Sequence, residues 1–510
     1  MADLTTAWDG VTNTAIAGIA RQEPPALVAD DAVGRLCANL TTGEKAARLL
    51  NTAGVLGLCR LAGALPTPDA ATPPPPAPPD TQPPCSAAAA RLLQRALETP
   101  PLAPLLPEWI ALATHHGQRV PPALLPAVLG AITKSAELRA AFLPVLGARG
   151  RWLAHLNPAW QAGAVPEGDA ERQAAWETGT KAERLAALRA QRALDPAVAR
   201  AWLEEVRASE PLDALTAFIE VLGVCLGLAD EGLLEAFLDD KRKTVRRPAA
   251  ELLARLPDTA FARRMTERAR QWVTVTPEQP ASLFPPRRKQ PLAVTVTLPA
   301  AYDPAWARDG IEETPPQGIG VKGWWLQQLI AGTLLACWEN AGQCSSAALV
   351  TAIGELDDRD TLLRGWLSAT KRQRRDDWLL ALLRHGAPAR VQPDAAAILA
   401  DMRPEARERV LLGLCAPDVT QGRAAIPALL QACDHPWSEA LSRAVIGLRI
   451  DAGQYTLYEN LARHLHPTCL TACRQKWQSQ SGDISDWFKD RILKILDFRT
   501  EIHPAFGENP

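Results

Sequence analysis

A chain of 510 residues is too long for one ordinary hydrophobic core, so two to four domains or one extended repeat array are expected. Lys plus Arg number 55 against 57 Asp plus Glu; the formal charge of -2 excludes a global attraction to nucleic acid or acidic membrane and confines any electrostatic site to a local patch. The apolar fraction of 47% is built mainly from Ala and Leu, with 3 Tyr and 8 Phe, which favours helix over sheet.

The N-terminus, Met1-Ala2-Asp3-Leu4, lacks the basic and apolar regions of a secretory signal. No uncharged apolar run approaches the roughly 18 residues that cross a bilayer, and the nearest one, 120–133, carries Pro121, Pro122 and Pro126. A cytoplasmic protein is expected. Residues 1–64 read as a helical N-terminal segment, with a Thr cap at 41–42 before the amphipathic turn 44–50. Residues 65–84, with Pro73 to Pro76 and Pro78-Pro79, read as a proline-rich linker in a semi-rigid polyproline conformation. Such a tract also serves as an SH3 or WW ligand, but no basic residue flanks this one.

Residues 85–272 read as HEAT-like helical repeats, with helix following helix across short Pro, Asp or Ser breaks. Asp195-Pro196 places a cap and a first-turn proline ahead of the inner face Ala199, Trp202, Leu203 and Val206. Ser209 is expected to cap the next helix, whose stripe runs Leu215, Phe218, Ile219, Leu222 and Leu226. Asp230 opens a third, with Leu233, Leu234, Phe237 and Leu238. The stretch 239–257 forms the fourth: Val245, Ala249, Leu252, Leu253 and Leu256 share one stripe, and the small Ala249 admits a close neighbour. Pro248 removes an early backbone hydrogen bond, so this helix is expected to begin late or kink. Residues 273–322 form an irregular proline-rich insertion in which 294–298 reads as an isolated strand; a segment of this length is commonly functional or a surface crossover. Helical periods resume over 323–510 as C-terminal repeats, starting with one helix over 324–338. The fold class is therefore all-α, a HEAT-like α-solenoid.

Several phrases carry a resemblance: Leu106-Pro107-Glu108-Trp109, 147–154, Asn157-Pro158-Ala159-Trp160, 230–257, Arg308-Asp309-Gly310-Ile311, and Gly323-Trp324-Trp325-Leu326. Together they resemble a bacterial family of unknown function whose members are typically encoded beside a MoxR-type AAA+ ATPase, a von Willebrand factor A-domain protein and a SWIM zinc-finger protein. The resemblance implies a place in a MoxR-linked, chaperone-like system and supplies no catalytic residues.

No Walker A string, HExxH, GxSxG, EF-hand loop or GxGxxG opening occurs, and no enzymatic activity or cofactor is expected. One metal-like grouping, His464, His466, Cys469 and Cys473, has the chemistry for tetrahedral zinc. Its spacing fits no known finger, Pro467 interrupts it, and cysteines in apolar helices usually mean core. Cys433-Asp434-His435 and His115-His116 are slighter versions of the same question. The ten cysteines, Cys225 among them, read as buried free thiols.

Three basic clusters stand out: Lys241, Arg242 and Lys243 with Arg246 and Arg247; Arg287-Arg288-Lys289; and Lys371-Arg372 with Arg374-Arg375. They read either as phosphate or partner contacts or as solvated turns, and adjoining aspartates favour the turns. Most of the 16 Trp are expected in helix seams. The expected function is a non-enzymatic scaffold or adaptor holding a protein partner, for which the resemblance implies the MoxR-type ATPase or its von Willebrand factor A companion. A nucleic-acid-binding HEAT-like protein is the alternative, and an enzyme with a scattered site in 273–323 is a third class.

Overall fold

The stripe that defines the 239–257 repeat is buried along its whole length: Val245, Ala249, Leu252, Leu253 and Leu256 all lie in the core. Burial of such stripes, roughly 25 cal/mol per Å² of apolar surface, is what holds each helix to its neighbours. The computed structural model describes residues 4–23, 35–36, 39–40, 43–63, 74–157, 160, 168–279, 282–283, 286–287, 290–386, 388–448, 455–480 and 486–507. They fall into two units, Met1–Pro76 and Ala77–Pro510.

The first unit pairs α1 (Leu4–Ala17) with α2 (Lys45–Gly63) around Val11, Leu49 and Leu56. The Arg60 guanidinium lies over the Trp8 ring at 5.1 Å. Thr41 and Thr42, read as a cap, lie outside the described residues.

The second unit begins with α3 (Ala87–Glu98), α4 (Leu106–His115), α5 (Leu125–Ile132), α6 (Ala136–Phe142) and α7 (Gly147–Leu156). After 157–168 come α8 (Asp169–Thr178), α9 (Lys181–Leu194), α10 (Pro196–Val206), α11 (Leu212–Val221), α12 (Glu231–Leu238), α13 (Lys243–Leu253) and α14 (Ala260–Arg270). Four short strands follow, β1 (Val273–Thr276), β2 (Ser282–Leu283), β3 (Pro286–Arg287) and β4 (Ala293–Val296). The helices then resume as α15 (Val321–Ala331), α16 (Ala336–Gly342), α17 (Ser346–Ala352), α18 (Arg359–Gln373), α19 (Asp376–His385) and α20 (Pro388–Ala400). The last are α21 (Pro404–Cys415), α22 (Ile426–Gln431), α23 (Glu439–Gly447), α24 (Tyr455–His464), α25 (Leu470–Gln480) and α26 (Asp486–Ala505).

Helices two apart in chain order pack together, as α9 on α11, α11 on α13, α17 on α19, α19 on α21, and α20 on α22. This is the two-layer pattern of a helical-repeat array: one layer stacks on itself while each helix also leans on its antiparallel neighbour. The expected all-α repeat fold is therefore the observed one. α15 packs closely on α18, where a Cβ on Gly365 would stand 2.8 Å from Cβ of Ile330.

The end of the chain packs against the start of the same unit, α26 on α3. Arg499, buried, donates to Glu108 at 2.7 and 2.9 Å, and His503 meets the same carboxylate at 3.1 Å. Ser86 Oγ donates to the Ala505 carbonyl at 2.8 Å, and Trp109 meets Phe506 edge-on. Burial pushes the Glu108 carboxyl up, but its bonds to His503 and Arg499 outweigh burial and hold it below the ordinary range. Nearby, burial reinforced by Arg499 and Arg463 pushes the His464 imidazole down to about 4. A depressed carboxylate contributes stability that is lost as pH falls through its folded value. A depressed histidine binds fewer protons folded than unfolded between about pH 4 and the usual value near 6.5, so its burial also costs stability as pH falls through that window. The junction of α24, α26 and α3 is therefore expected to loosen first on acidification, as faster amide exchange in α26 at pH 4.5 than at pH 7 after correction for intrinsic rates. His464→Gln should flatten that response between pH 6.5 and 4.

Several expectations are corrected locally. Ser209 does not cap α11; Pro211 is its N-cap, and the helix stops at Val221, before Leu226, because residues 222–225 form a turn. Cys225 in that turn is exposed at φ +49°, so it is not a buried thiol, whereas Cys85, Cys433 and Cys469 are buried. The helix with Pro248 begins at Lys243, five residues upstream, so the proline lies inside it rather than at a delayed start. The strand at 294–298 is not isolated, since β4 pairs antiparallel with β1, Val294 opposite Val275. The helix over 324–338 breaks after Ala331 into α15 and α16.

The division at 76/77 falls inside the stretch read as linker, while 85–272, 273–322 and 323–510 belong to one unit. The later part of the proline tract is not a free spacer. Asp80 accepts from the Ala148 amide at 2.5 Å and pairs with Arg119 at 3.4 Å, and Arg119 Nε donates to the Gln82 carbonyl at 2.9 Å. Gly147, at φ +70°, makes room for this: a Cβ there would collide with Asp80 Oδ1. No helix among the described residues is long and apolar enough to cross a membrane.

Candidate functional site

On α13 the helical period separates the basic cluster into residues that hold the fold and residues that face outward. Arg242 folds back on Asp240, Nε to Oδ1 3.0 Å and Nη2 to Oδ2 2.8 Å. Arg246 donates to the carbonyls of Ala307 at 3.1 Å, Asp240 at 2.8 Å and Lys241 at 3.0 Å. Both arginines are thus committed to the turn and to the insertion. Lys241 and Lys243 are exposed, and Arg247 is exposed with Nε 3.2 Å from Glu251 one turn on.

The insertion is irregular in backbone yet tied down at each step. Arg308 reaches back to Asp239 at 2.7 Å and Glu235 at 3.0 Å. Asp309 is buried and receives Arg264 at 2.7 Å and Arg268 at 2.6 Å. Its carboxylate is the hub that fastens the insertion to α14. Adjacent indoles complete the attachment: Trp324 Nε1 donates to the Glu312 carbonyl at 3.1 Å and Trp325 Nε1 to the Glu313 carbonyl at 2.8 Å. The Gln328 amide brackets Glu312, accepting from its N–H at 2.8 Å and donating to its carbonyl at 2.9 Å. These bonds satisfy backbone groups that an irregular segment would otherwise leave open.

Fastened in this way, residues 309–316 wall a trough whose remaining sides come from α13, α14, α15 and α18. A central cavity of about 340 Å³ is lined by Arg247, Glu251, Phe261, Met265, Trp324 and Arg372, mixing apolar floor with charged rim. Arg247 also lines a cavity of about 270 Å³ on the Lys243 and Tyr302 side. Arg247, Glu251, Ser368 and Arg372 are shared with a third cavity, about 410 Å³, toward Arg255, Lys371 and Arg374. The three cavities therefore adjoin one another along shared walls. The lining sets hydrogen-bond donors and guanidinium groups around an aromatic and aliphatic floor.

The trough brings together parts of two basic clusters far apart in sequence, Arg247 from one and Lys371, Arg372 and Arg374 from the other. Arg375 is diverted to Glu339 at 3.0 Å and Asp377 at 2.7 Å. In the remaining cluster, Arg288 and Lys289 lie outside the described residues. Sequence reasoning missed Arg255 and Asp309. Arg255 follows Arg247 and Glu251 at four-residue intervals, so the polar side of that helix already carried a signal. Asp309 gave none, since a lone aspartate in a proline-rich stretch reads as a turn.

The four metal-like residues sit in different settings. His464 stacks on Trp437 with ring centroids 6.2 Å apart, and His466 Nδ1 lies 2.8 Å from Thr468 Oγ1. Cys469 is buried, and burial pushes the Cys473 thiol up to about 11. No group of three or more His, Cys, Asp or Glu able to hold a metal ion occurs among the described residues. His435 lies 3.4 Å from Glu408, and His116 stacks on Phe506.

A family model of unknown function, DUF5691, matches residues 10–506, nearly the whole chain. The chain belongs to that family. The match runs through both units and includes the insertion and every wall of the trough. No curated protein is significantly similar to this DUF5691 member.

Proposed function

We propose that the protein is a non-enzymatic helical-repeat scaffold that holds a partner protein in the trough, the partner being a MoxR-type AAA+ ATPase or its von Willebrand factor A-domain companion. The observation that carries this reading is the anchored insertion. A long irregular segment is fixed by buried ion pairs and indole hydrogen bonds into a rigid wall beside an apolar and charged floor. Pre-organised concave surfaces of this kind bind without first having to order a loop. Aromatic and arginine side chains that a partner can cover, such as half-buried Trp324 and exposed Arg247, are the types that dominate binding energy at protein interfaces. The MoxR connection rests on the resemblance of the family phrases, and membership of DUF5691 is compatible with it.

The test is affinity purification from the native host under native salt, with the bound proteins identified. The ATPase or the von Willebrand factor A-domain protein is expected, with recovery falling at least about ten-fold for Trp324→Ala, the cost of one interface anchor. Repeated recovery of neither protein would count against the proposal. So would undiminished recovery by the folded Trp324→Ala variant.

A further inference from the structure

At its far end the trough collects positive charge that the fold does not neutralise. Arg255, Lys371, Arg372 and Arg374 line the cavity of about 410 Å³ together with Arg247. Glu220, Glu251 and Asp401 are the carboxylates on the same walls, so cations outnumber them by two. Among the described residues, only Arg247 of these five cations has an ion pair, the one with Glu251. This contrasts with the arginines around it, since Arg246, Arg264, Arg268, Arg308 and Arg375 are each bound to carbonyls or carboxylates.

Three costs converge here. Arg255 and Arg372 are half-buried, and burial makes each guanidinium easier to deprotonate than usual: at Arg255 the like charge of Arg374 adds to it, and at Arg372 the attraction of Glu251 opposes it while Arg247 adds to it. Neither has a direct ion pair and only Arg372 feels a nearby carboxylate, so their desolvation is offset in part at most, which a protein seldom tolerates without a counter-charge. Arg374 ends α18 in the left-handed region, at φ +53° and ψ +43°, a position where glycine is the unstrained choice. Gly223 adds room: a Cβ there would stand 3.2 Å from Arg255 Nη1. Desolvation, like-charge crowding and backbone strain all oppose folding, and one bound anion would relieve the first two.

We infer that the Arg255, Arg372 and Arg374 end of the trough is a binding site for the phosphate group of a small ligand. The surplus of two positive charges matches a dianionic phosphoryl group, and planar guanidinium forks pair with its oxygens two at a time. The cavity is bounded on several sides, which suits a compact anion placed among the guanidinium groups, while its three carboxylates would repel the continuous backbone of a duplex. The adjoining Phe261 and Trp324 floor offers a place for an organic part of the same ligand. This inference goes beyond the scaffold reading and stands whether or not a MoxR-type partner is recovered.

The experiment is calorimetric titration of the full chain with inorganic pyrophosphate at low ionic strength, alongside ATP and a succinate control. Saturable pyrophosphate binding that weakens with added NaCl is expected, with succinate at least about ten-fold weaker because it lacks a compact dianionic head. ATP binding more tightly than pyrophosphate would support an organic phosphate, and equal affinities would support a free polyphosphate. Arg372→Gln and Arg374→Gly should each weaken pyrophosphate at least about ten-fold, the loss of one charge-assisted hydrogen-bonding group. Arg374→Gly removes strain with the charge, so its melting temperature should hold or rise, which keeps the test valid even if Arg372→Gln folds poorly. Absence of saturable binding by the parent chain, or unchanged affinity in folded Arg374→Gly and Arg372→Gln, would overturn the assignment. Equal binding of succinate would overturn its phosphate specificity.

Discussion

Asp230→Ala is expected to lower the stability of the α9 to α12 region by about 3–5 kcal/mol, the usual cost of leaving a buried charge without its partner. Asp230 and Arg192 are among the most enclosed charged residues of the chain, at 1% and 0% exposure, and they form a direct ion pair. Arg192 also donates to the carbonyls of Val224 at 2.8 Å and Pro196 at 2.9 Å, so its guanidinium joins three turns of chain. Asp230 in turn accepts from Arg200 at 3.0 Å and from the Gly227 amide at 2.9 Å. Without the carboxylate, Arg192 keeps carbonyl partners but no counter-ion. Arg200 is partly solvated, so Arg200→Ala should cost only about 1 kcal/mol. Repeat arrays need not unfold in one step, so the suitable measurement is amide exchange resolved by helix. Protection should fall in α9 to α12 and stay unchanged in α21 to α24. Equal loss everywhere, or none in α9 to α12, would refute the local role given to this pair.

What the sequence revealed here depended on whether a residue acts through its neighbours in the chain or across space. The apolar stripe at 245–256 and the stripe of α12 were legible because helical periodicity is local, and each residue read there is buried. Asp230 was legible only as a helix opener; its counter-ion lies 38 residues away, in a helix whose own pattern gives Arg192 no distinction. The basic clusters show the same limit more sharply. Arg246 and Arg247 are adjacent, yet a turn of 100° per residue sends one to the Ala307 carbonyl and the other to the trough. Counting charges could not separate them, and the site emerges only when α13 and α18 are brought together. The insertion was recognised as a candidate site by its length and prolines, but the ion pairs that fix it to the preceding helices connect residues 41 to 73 positions apart, and its indole and amide bonds span 12 to 16.

Asp309→Asn is expected to release the insertion and, with it, the trough. The substitution keeps the shape of the side chain while removing the charge to which Arg264 and Arg268 both bond. Those two cations, with Arg308 adjacent, would then repel one another around a neutral amide that can accept through only one oxygen. Solvent and Glu235 partly screen these arginines, but Asp309 is 3% exposed, so water cannot replace its lost charge, and a local cost of about 3 kcal/mol follows. The core stripes do not depend on this contact, so the helical content of the second unit should persist. Opening of the insertion should become roughly a hundred-fold more frequent, and tryptic cleavage after Arg308 should rise in proportion while reclosing outpaces cleavage. Partner recovery should fall with it, because the wall formed by 309–316 is no longer held in place. If cleavage at Arg308 stays at the parental rate while exchange in α14 is also unchanged, the carboxylate is not the hub of this wall. The attachment would then rest on the Trp324 and Trp325 indoles, whose bonds to the Glu312 and Glu313 carbonyls are the other link between insertion and array.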